Sequence, residues 1–171
     1  MCILTREAIL AEIESGRLSI EPLDLDQVGP ASIDLHLGDE IRALRESCRH
    51  PIHVTDDADP EAETKRVSLA EPYLLAPGAT VLGITRERLD LPPDLCAWIE
   101  GRSRIARLGL TVHATSGFVQ PGARNHQVLE MSNVSRAPLA LHAGARVCQI
   151  VLERTEGRAV YRGQWADQTR P

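Results

Sequence analysis

Aromatic side chains are scarce in this chain. It has one Phe, two Trp and two Tyr among 171 residues, so a core must be assembled from Leu, Ile, Val and Ala. Excess positive charge is also lacking: the formal charge is -5 and the pI about 5.7. A protein that wraps nucleic-acid backbone needs a basic face, so no nucleic-acid partner is expected. No apolar run approaches the roughly 18–20 residues of a membrane span, so no membrane partner is expected. The first residues, Met1 to Glu7, lack the charged-then-apolar layout of a signal peptide, and a cytoplasmic location is expected. Cys2, Cys48, Cys96 and Cys148 are far apart with no CxxC pair. That spacing argues against a disulfide framework or a four-Cys zinc site and leaves buried or incidental thiols. Lys65 stands alone against 18 Arg, a skew that reflects genomic base composition more than function.

What is present suffices for a packed fold. Hydrophobic residues make up 43% and charged residues 25%, and the length suits one domain over residues 1–171. Thr5 is placed to cap a helix whose apolar stripe is Ile9, Leu10 and Ile13, ended by Ser15-Gly16. The period then becomes two. Ser32 to Leu37 alternates and is expected to stop at Gly38; Tyr73–Leu75, Thr80–Ile84, Cys96–Ile99, Gln127–Met131 and Arg146–Leu152 read as further strands. Pro and acidic residues mark most of Ser47 to Lys65 as a solvated loop. Many short strands with little helix predict a mainly β sandwich or barrel with an N-terminal helix.

One stretch concentrates chemistry. Gly101 to Gly109 packs Arg102, Ser103, Arg104 and Arg107 into an otherwise acidic chain. If Ser103 to Arg107 form one helical turn, those two share a face. Free amides, a hydroxyl and guanidinium forks make an anion site; a solvated basic turn is the alternative. Gly117 to Gly122 reads as a turn between strands. Further on, Glu130 lies between Leu129 and Met131. Strand alternation turns Glu130 away from both. Taken alone it reads as the wet face of a strand; proton transfer requires it half-buried in a pocket.

The order of these motifs resembles the dCTP deaminase family of the trimeric dUTPase superfamily. The likeness rests on Gly101-Arg102-Ser103-Arg104-Ile105-Ala106-Arg107-Leu108-Gly109-Leu110, then His113-Ala114-Thr115-Ser116, then Val128-Leu129-Glu130-Met131-Ser132-Asn133 and Gly144-Ala145-Arg146-Val147-Cys148-Gln149. Gly29 to Gly38 and Tyr161-Arg162-Gly163-Gln164 match flanking motifs, so the likeness spans nearly the whole chain. It implies a distorted β jelly roll assembled as a homotrimer with sites between subunits. It implies deamination of dCTP, or a close cytosine nucleotide, to dUTP without a protein-bound cofactor, Mg2+ accompanying the triphosphate. The sequence has no H-x-E…P-C-x-x-C zinc signature. In this resemblance Glu130 activates water, while Ser103 and Arg107 orient water, base and phosphates. Arg102, Arg104, Ile105 and Ala106 complete the phosphate motif. Thr115, Gln120, Gln149 and Gln164 contact the nucleotide, and Val128 and Leu129 meet the base through their backbone.

The departures fall on the sugar and phosphate set. Gln120 stands where the family has Asp, Arg104 replaces a serine, Ser116 replaces Ala, Ala123-Arg124-Asn125 replaces aromatic-x-Gly, and Val160 replaces a lysine. The link from Leu152 to Tyr161 is short and lacks the family's loop tyrosine. The charge of Arg104 offsets the missing lysine on one reading; on another the activity has decayed or the substrate has changed. A dUTP pyrophosphatase, alone or combined with deamination, ranks lower because Gln120 cannot act as a base. A nucleotide-binding homologue without turnover is the third reading, and it has no need of Glu130.

Overall fold

The computed structural model describes residues 2–45, 50–59, 61–113 and 115–171. Cys48, Ala114 of the His113–Ser116 motif and part of the expected loop lie outside them. In chain order the elements are α1 (Arg6–Glu14), β1 (Ser19–Glu21), β2 (Ile33–Leu44), β3 (Thr64–Ser68), β4 (Tyr73–Leu75), β5 (Thr80–Asp90), β6 (Leu95–Gly101), α2 (Ser103–Ala106), β7 (Leu110–Val112), β8 (Phe118–Val119), β9 (His126–Asn133), β10 (Leu139–Leu141) and β11 (Arg146–Arg154). The mainly β expectation with an N-terminal helix stands. Seven strands run in the order β7-β9-β5-β2-β11-β6-β8, with β1 added on β5 and β3 on β2. A separate ribbon pairs β10 with β4. Between described strands every pairing is antiparallel.

Helix α1 follows its stripe: Ile9 is fully buried and Leu10 and Ile13 pack partly against the core. Gly16, at φ 69°, supplies the left-handed residue that ends it. Thr5 does not cap with its side chain; its carbonyl instead accepts from Ile9 N at 2.9 Å. Glu12 is buried on the inner edge of α1 because Arg17 Nε (2.8 Å) and Arg154 (2.6 Å) both hold it. Burial alone would raise its pKa, but these two arginines bring it below the usual carboxylate range.

Two strands outrun their expected ends. β2 continues past Gly38 to Leu44, and its register against β5 shifts between Leu37 and Ile41. A Cβ at Gly38 would lie 3.1 Å from both Ile84 Cγ2 and Ile84 O. The glycine therefore marks a bulge where β5 comes close, not a stop. β5 continues past Ile84 through Thr85 and Glu87, which are polar yet buried. Glu87 accepts from Gln27 Nε2 (3.0 Å), His36 N (2.9 Å) and His36 Nδ1 (2.5 Å). Thr85 Oγ1 donates to Glu87 O and accepts from Gln127 N. Satisfied in this way, both can occupy the inner face of the sheet. The segment Gly117–Gly122 likewise holds more than a turn, since Phe118–Val119 pair with β6.

Cys96 and Cys148 are buried thiols as expected, and Cys2 is exposed. Burial pushes the Cys148 thiol well above its ordinary value. Residues 50–59 are exposed, in keeping with a solvated segment, and β3 begins at Thr64.

Candidate active site

β9 places Glu130. Its burial alternates, with Leu129 and Met131 at 0% exposure and Glu130 half-buried on the other face. That face lines a cavity of about 380 Å3 shared with His113, Gln120 and Val128. Thr115 Oγ1 donates to Glu130 Oε2 at 2.6 Å, a short charge-assisted bond that fixes one carboxylate oxygen. No other described residue bonds the carboxylate, so Oε1 stays available to water.

The backbone adds a second recognition element. His113 N donates to Glu130 O at 2.9 Å, so the peptide groups of Glu130 face β7. β7 ends at Val112, and His113 turns away with φ 57°, a left-handed conformation uncommon for His. Alternation directs the peptide groups of Val128 to the same edge, which β7 has vacated. Leu129 differs: it pairs with Gly83 on β5, its side chain is core, and it does not line the cavity. Of the two residues expected to meet the base through their backbone, only Val128 faces the open edge.

His113 also matters electrostatically. Burial holds its pKa below the ordinary imidazole range, with the Glu130 charge pulling the other way. Its Nδ1 is buried with no hydrogen-bond partner among the described residues. Unfolding therefore takes up a proton on this side chain at pH values between its depressed folded value and about 6.5. This share of stability is complete above pH ~6.5 and falls as pH drops, by at most about 1.4 kcal/mol per pH unit. Denaturant titrations between pH ~5 and ~7.5 check it. The slope should flatten in His113→Asn, since Asn tolerates the left-handed backbone. An unaltered slope would place the titrating group elsewhere.

The phosphate motif lies apart. Ser103–Ala106 form the expected single turn, with Arg107 N bonded to Ser103 O at 3.2 Å. Ser103, Arg104, Ala106 and Arg107 are exposed, and Ile105 packs against the core. No hydrogen bond or ion pair holds the side chains of Ser103, Arg104 or Arg107 among the described residues. Arg102 is committed otherwise: it pairs with Asp34 at 2.7 Å and donates to Arg146 O at 3.2 Å. Gln149 is also engaged, accepting from Ser32 Oγ (2.8 Å) and donating to Gly101 O (3.1 Å). Both therefore clamp β6 to β2 and β11 just ahead of α2, rather than offering free groups to a ligand. Gln164 is exposed on the C-terminal segment. None of Arg102 to Arg107, Gln149 or Gln164 lines the Glu130 cavity within one chain.

Other lining groups escaped the sequence reading. Asn125 and Gln127 lie three residues and one residue ahead of Val128, and both line the cavity. Asn125 Nδ2 donates to Trp165 O at 2.6 Å, and Gln127 Nε2 donates to Asn125 Oδ1 at 2.5 Å. The C-terminal segment closes one side with Tyr161, Trp165 and Gln168. It is tied down by Tyr161 N to Pro121 O (2.9 Å) and by Arg42 Nε to Pro171 O (2.9 Å).

Comparison with known proteins matches residues 3–155 to the model of the dCTP deaminase-like family. A protein of Halorubrum lacusprofundi named dCTP deaminase is 43% identical over 162 residues, which cover 92% of this chain and 79% of that one. A Methanothermobacter thermautotrophicus protein named dCTP deaminase, dUMP-forming, is 38% identical over 181 residues, covering 100% and 92%. Among solved structures, the 2'-deoxycytidine 5'-triphosphate deaminase of Agrobacterium tumefaciens superposes with a TM-score of 0.69 at 30% identity. That match covers 90% of this chain and 48% of the other, so the chain spans about half the length of that protein.

Proposed function

The chain belongs to the dCTP deaminase-like family, and from that premise we propose that it deaminates dCTP by hydrolysis with Glu130 as the proton shuttle. The observation that carries this reading is the half-buried carboxylate in a cavity, with Thr115 fixing Oε2 and Oε1 left for water. Glu130 takes a proton from that water as its oxygen adds to C4 of cytosine. It delivers the proton to N3, and a proton then reaches the exocyclic amine as the C4–N bond breaks and ammonia leaves. The open backbone edge at Val128 receives the base. Ser103, Arg104 and Arg107 receive the triphosphate, and Mg2+ enters as its companion rather than as a protein-bound ion.

The reading includes a homotrimer whose sites draw on neighbouring chains. Its support is the separation within one chain: the free arginines of α2 stand outside the Glu130 cavity. A tilted aromatic pair, Trp98 and Phe118 with centroids 4.9 Å apart, is also exposed at 44% and 38%. Ultracentrifugation of active protein checks this, and an active monomer would overturn it.

dUTP is the product favoured by Gln120, which cannot act as a base toward a phosphate-attacking water. The dUMP-forming name of the Methanothermobacter relative supports a second reading, in which the triphosphate is also cleaved. Ammonia and pyrophosphate release from one dCTP reaction separate these readings. Ammonia alone means dUTP, equal amounts of both mean dUMP, and neither product means a binding protein.

A further inference from the structure

Glu87 is a fully buried carboxylate on β5 that the deamination chemistry does not use. Burying a charge there costs more than burying an apolar side chain of similar size, so its contribution is position rather than stability. It accepts from Gln27 Nε2, from His36 N and from His36 Nδ1. The other ring nitrogen, His36 Nε2, accepts from Arg146 Nε at 3.1 Å. Nε2 therefore bears no proton, and the proton on Nδ1 points at Glu87. Arg146 stands opposite His36 where β11 shifts its register on β2, a bulge of the kind that re-aims a side chain.

From Arg146 the contacts lead to the phosphate motif. Its carbonyl accepts from Arg102 Nη1 at 3.2 Å. Its guanidinium lies 3.9 Å from Asp34, which pairs with Arg102 Nη2 at 2.7 Å. Arg102 is the residue on which α2 is built, because its carbonyl accepts from Ile105 N and Ala106 N, both at 2.9 Å. Ser103, Arg104 and Arg107 follow on that turn with exposed side chains. A turn this short recognises a polyphosphate well only if it is fixed beforehand, since ordering it on binding costs affinity. We propose that His36 is a positioning residue for the phosphate-binding turn: seated on Glu87, its Nε2 holds Arg146, and Arg146 with Asp34 fixes Arg102 at the start of α2. The inference rests on α2 receiving the triphosphate. Asp26 also pairs with Arg146, at 2.7 Å, but its side chain is 69% exposed, and a pair so exposed contributes little.

The test measures ammonia release from dCTP and, by calorimetry, binding of inorganic triphosphate, both with the intact protein. His36→Leu removes both ring nitrogens. KM for dCTP should rise about tenfold with kcat within about threefold, and triphosphate affinity should fall with it. His36→Gln should recover KM to within about threefold of the unaltered protein, since one amide can accept from Arg146 and donate to Glu87. A merely structural role would lower stability without this split between KM and kcat. An unchanged KM in folded His36→Leu would overturn the inference, and so would a rise that His36→Gln leaves in full. If His36→Leu does not fold, Arg146→Leu breaks the same contact from its more exposed side. The same tenfold rise is expected there, and an unchanged KM again overturns the role of His36. Should the protein release no ammonia, triphosphate affinity alone decides by the same margins. Arg107→Ala separates the two levels. If it too binds triphosphate unchanged, the phosphate reading of α2 fails and the inference with it. Weakened binding in Arg107→Ala beside unchanged binding in the His36 and Arg146 variants overturns only the role of His36.

Discussion

Glu130→Gln lowers dCTP turnover by at least about a hundredfold and leaves nucleotide binding in place. The amide keeps the shape and can still accept from Thr115 Oγ1, which lies 2.6 Å from the carboxylate. It cannot take a proton from water. General acid–base groups contribute about 10²- to 10⁴-fold, and here one carboxylate handles successive transfers. Binding persists because, in the proposed function, the base meets the open backbone edge at Val128 and the triphosphate meets α2. Single-turnover kinetics beside calorimetry read both quantities on one preparation. Substantial deamination by the variant would return Glu130 to the wet face of an ordinary strand. Thr115→Val provides a graded companion: the carboxylate stays but loses its anchor, and turnover falls by about tenfold.

Asn133→Ala costs about 3 kcal/mol of stability. Asn133 ends β9 at 0% exposure with its amide fully used. Nδ2 donates to Leu75 O (2.9 Å) and Ala137 O (2.8 Å), while Oδ1 accepts from Ser135 N (2.9 Å) and Ser135 Oγ (2.7 Å). Truncation strands the Leu75 carbonyl and the Ser135 amide and opens a void, while Ala137 O keeps its bond from Ser135 Oγ (2.9 Å); each unsatisfied group costs about 1–3 kcal/mol before the loop relaxes. The same corner locates α2: Gly109, at φ 90°, packs so tightly that a Cβ would lie 2.5 Å from Ser135 Cβ. Urea denaturation reads the loss, and phosphate affinity should weaken with it. A change below about 1 kcal/mol would mean that the β4–β10 ribbon holds this corner alone.

Legibility followed the range of the forces involved. Helix α1 was readable because its stripe and its Gly16 terminus are local. The onward courses of β2 and β5 were not. Gly38 is required by Ile84 on another strand, and Glu87 is tolerated inside only through Gln27 and His36, which are 60 and 51 residues away in sequence. In the site, Glu130 and Thr115 both stand in motifs that the sequence displays, but the hydrogen bond between them emerges only in the fold. Arg102 and Gln149 have intrachain partners that the sequence hides. Asp34 and Ser32 meet them only once β2, β6 and β11 lie side by side. Asn125 stands in the sequence only as a departure from a motif and Gln127 outside any, and the two emerge as neighbours in one cavity only in the fold.

The division between the Glu130 cavity and the α2 arginines has a genetic consequence when a site is shared by two chains. A Glu130→Gln allele and an Arg107→Ala allele are each silent alone, since every site then lacks the same group. Expressed together and assembled at random, the Arg107→Ala chain lends its glutamate and the Glu130→Gln chain its arginine. Roughly one site in four then receives both intact groups. Two null alleles of this gene should therefore complement each other within one cell, and two alleles hit on the same side of the divide should not.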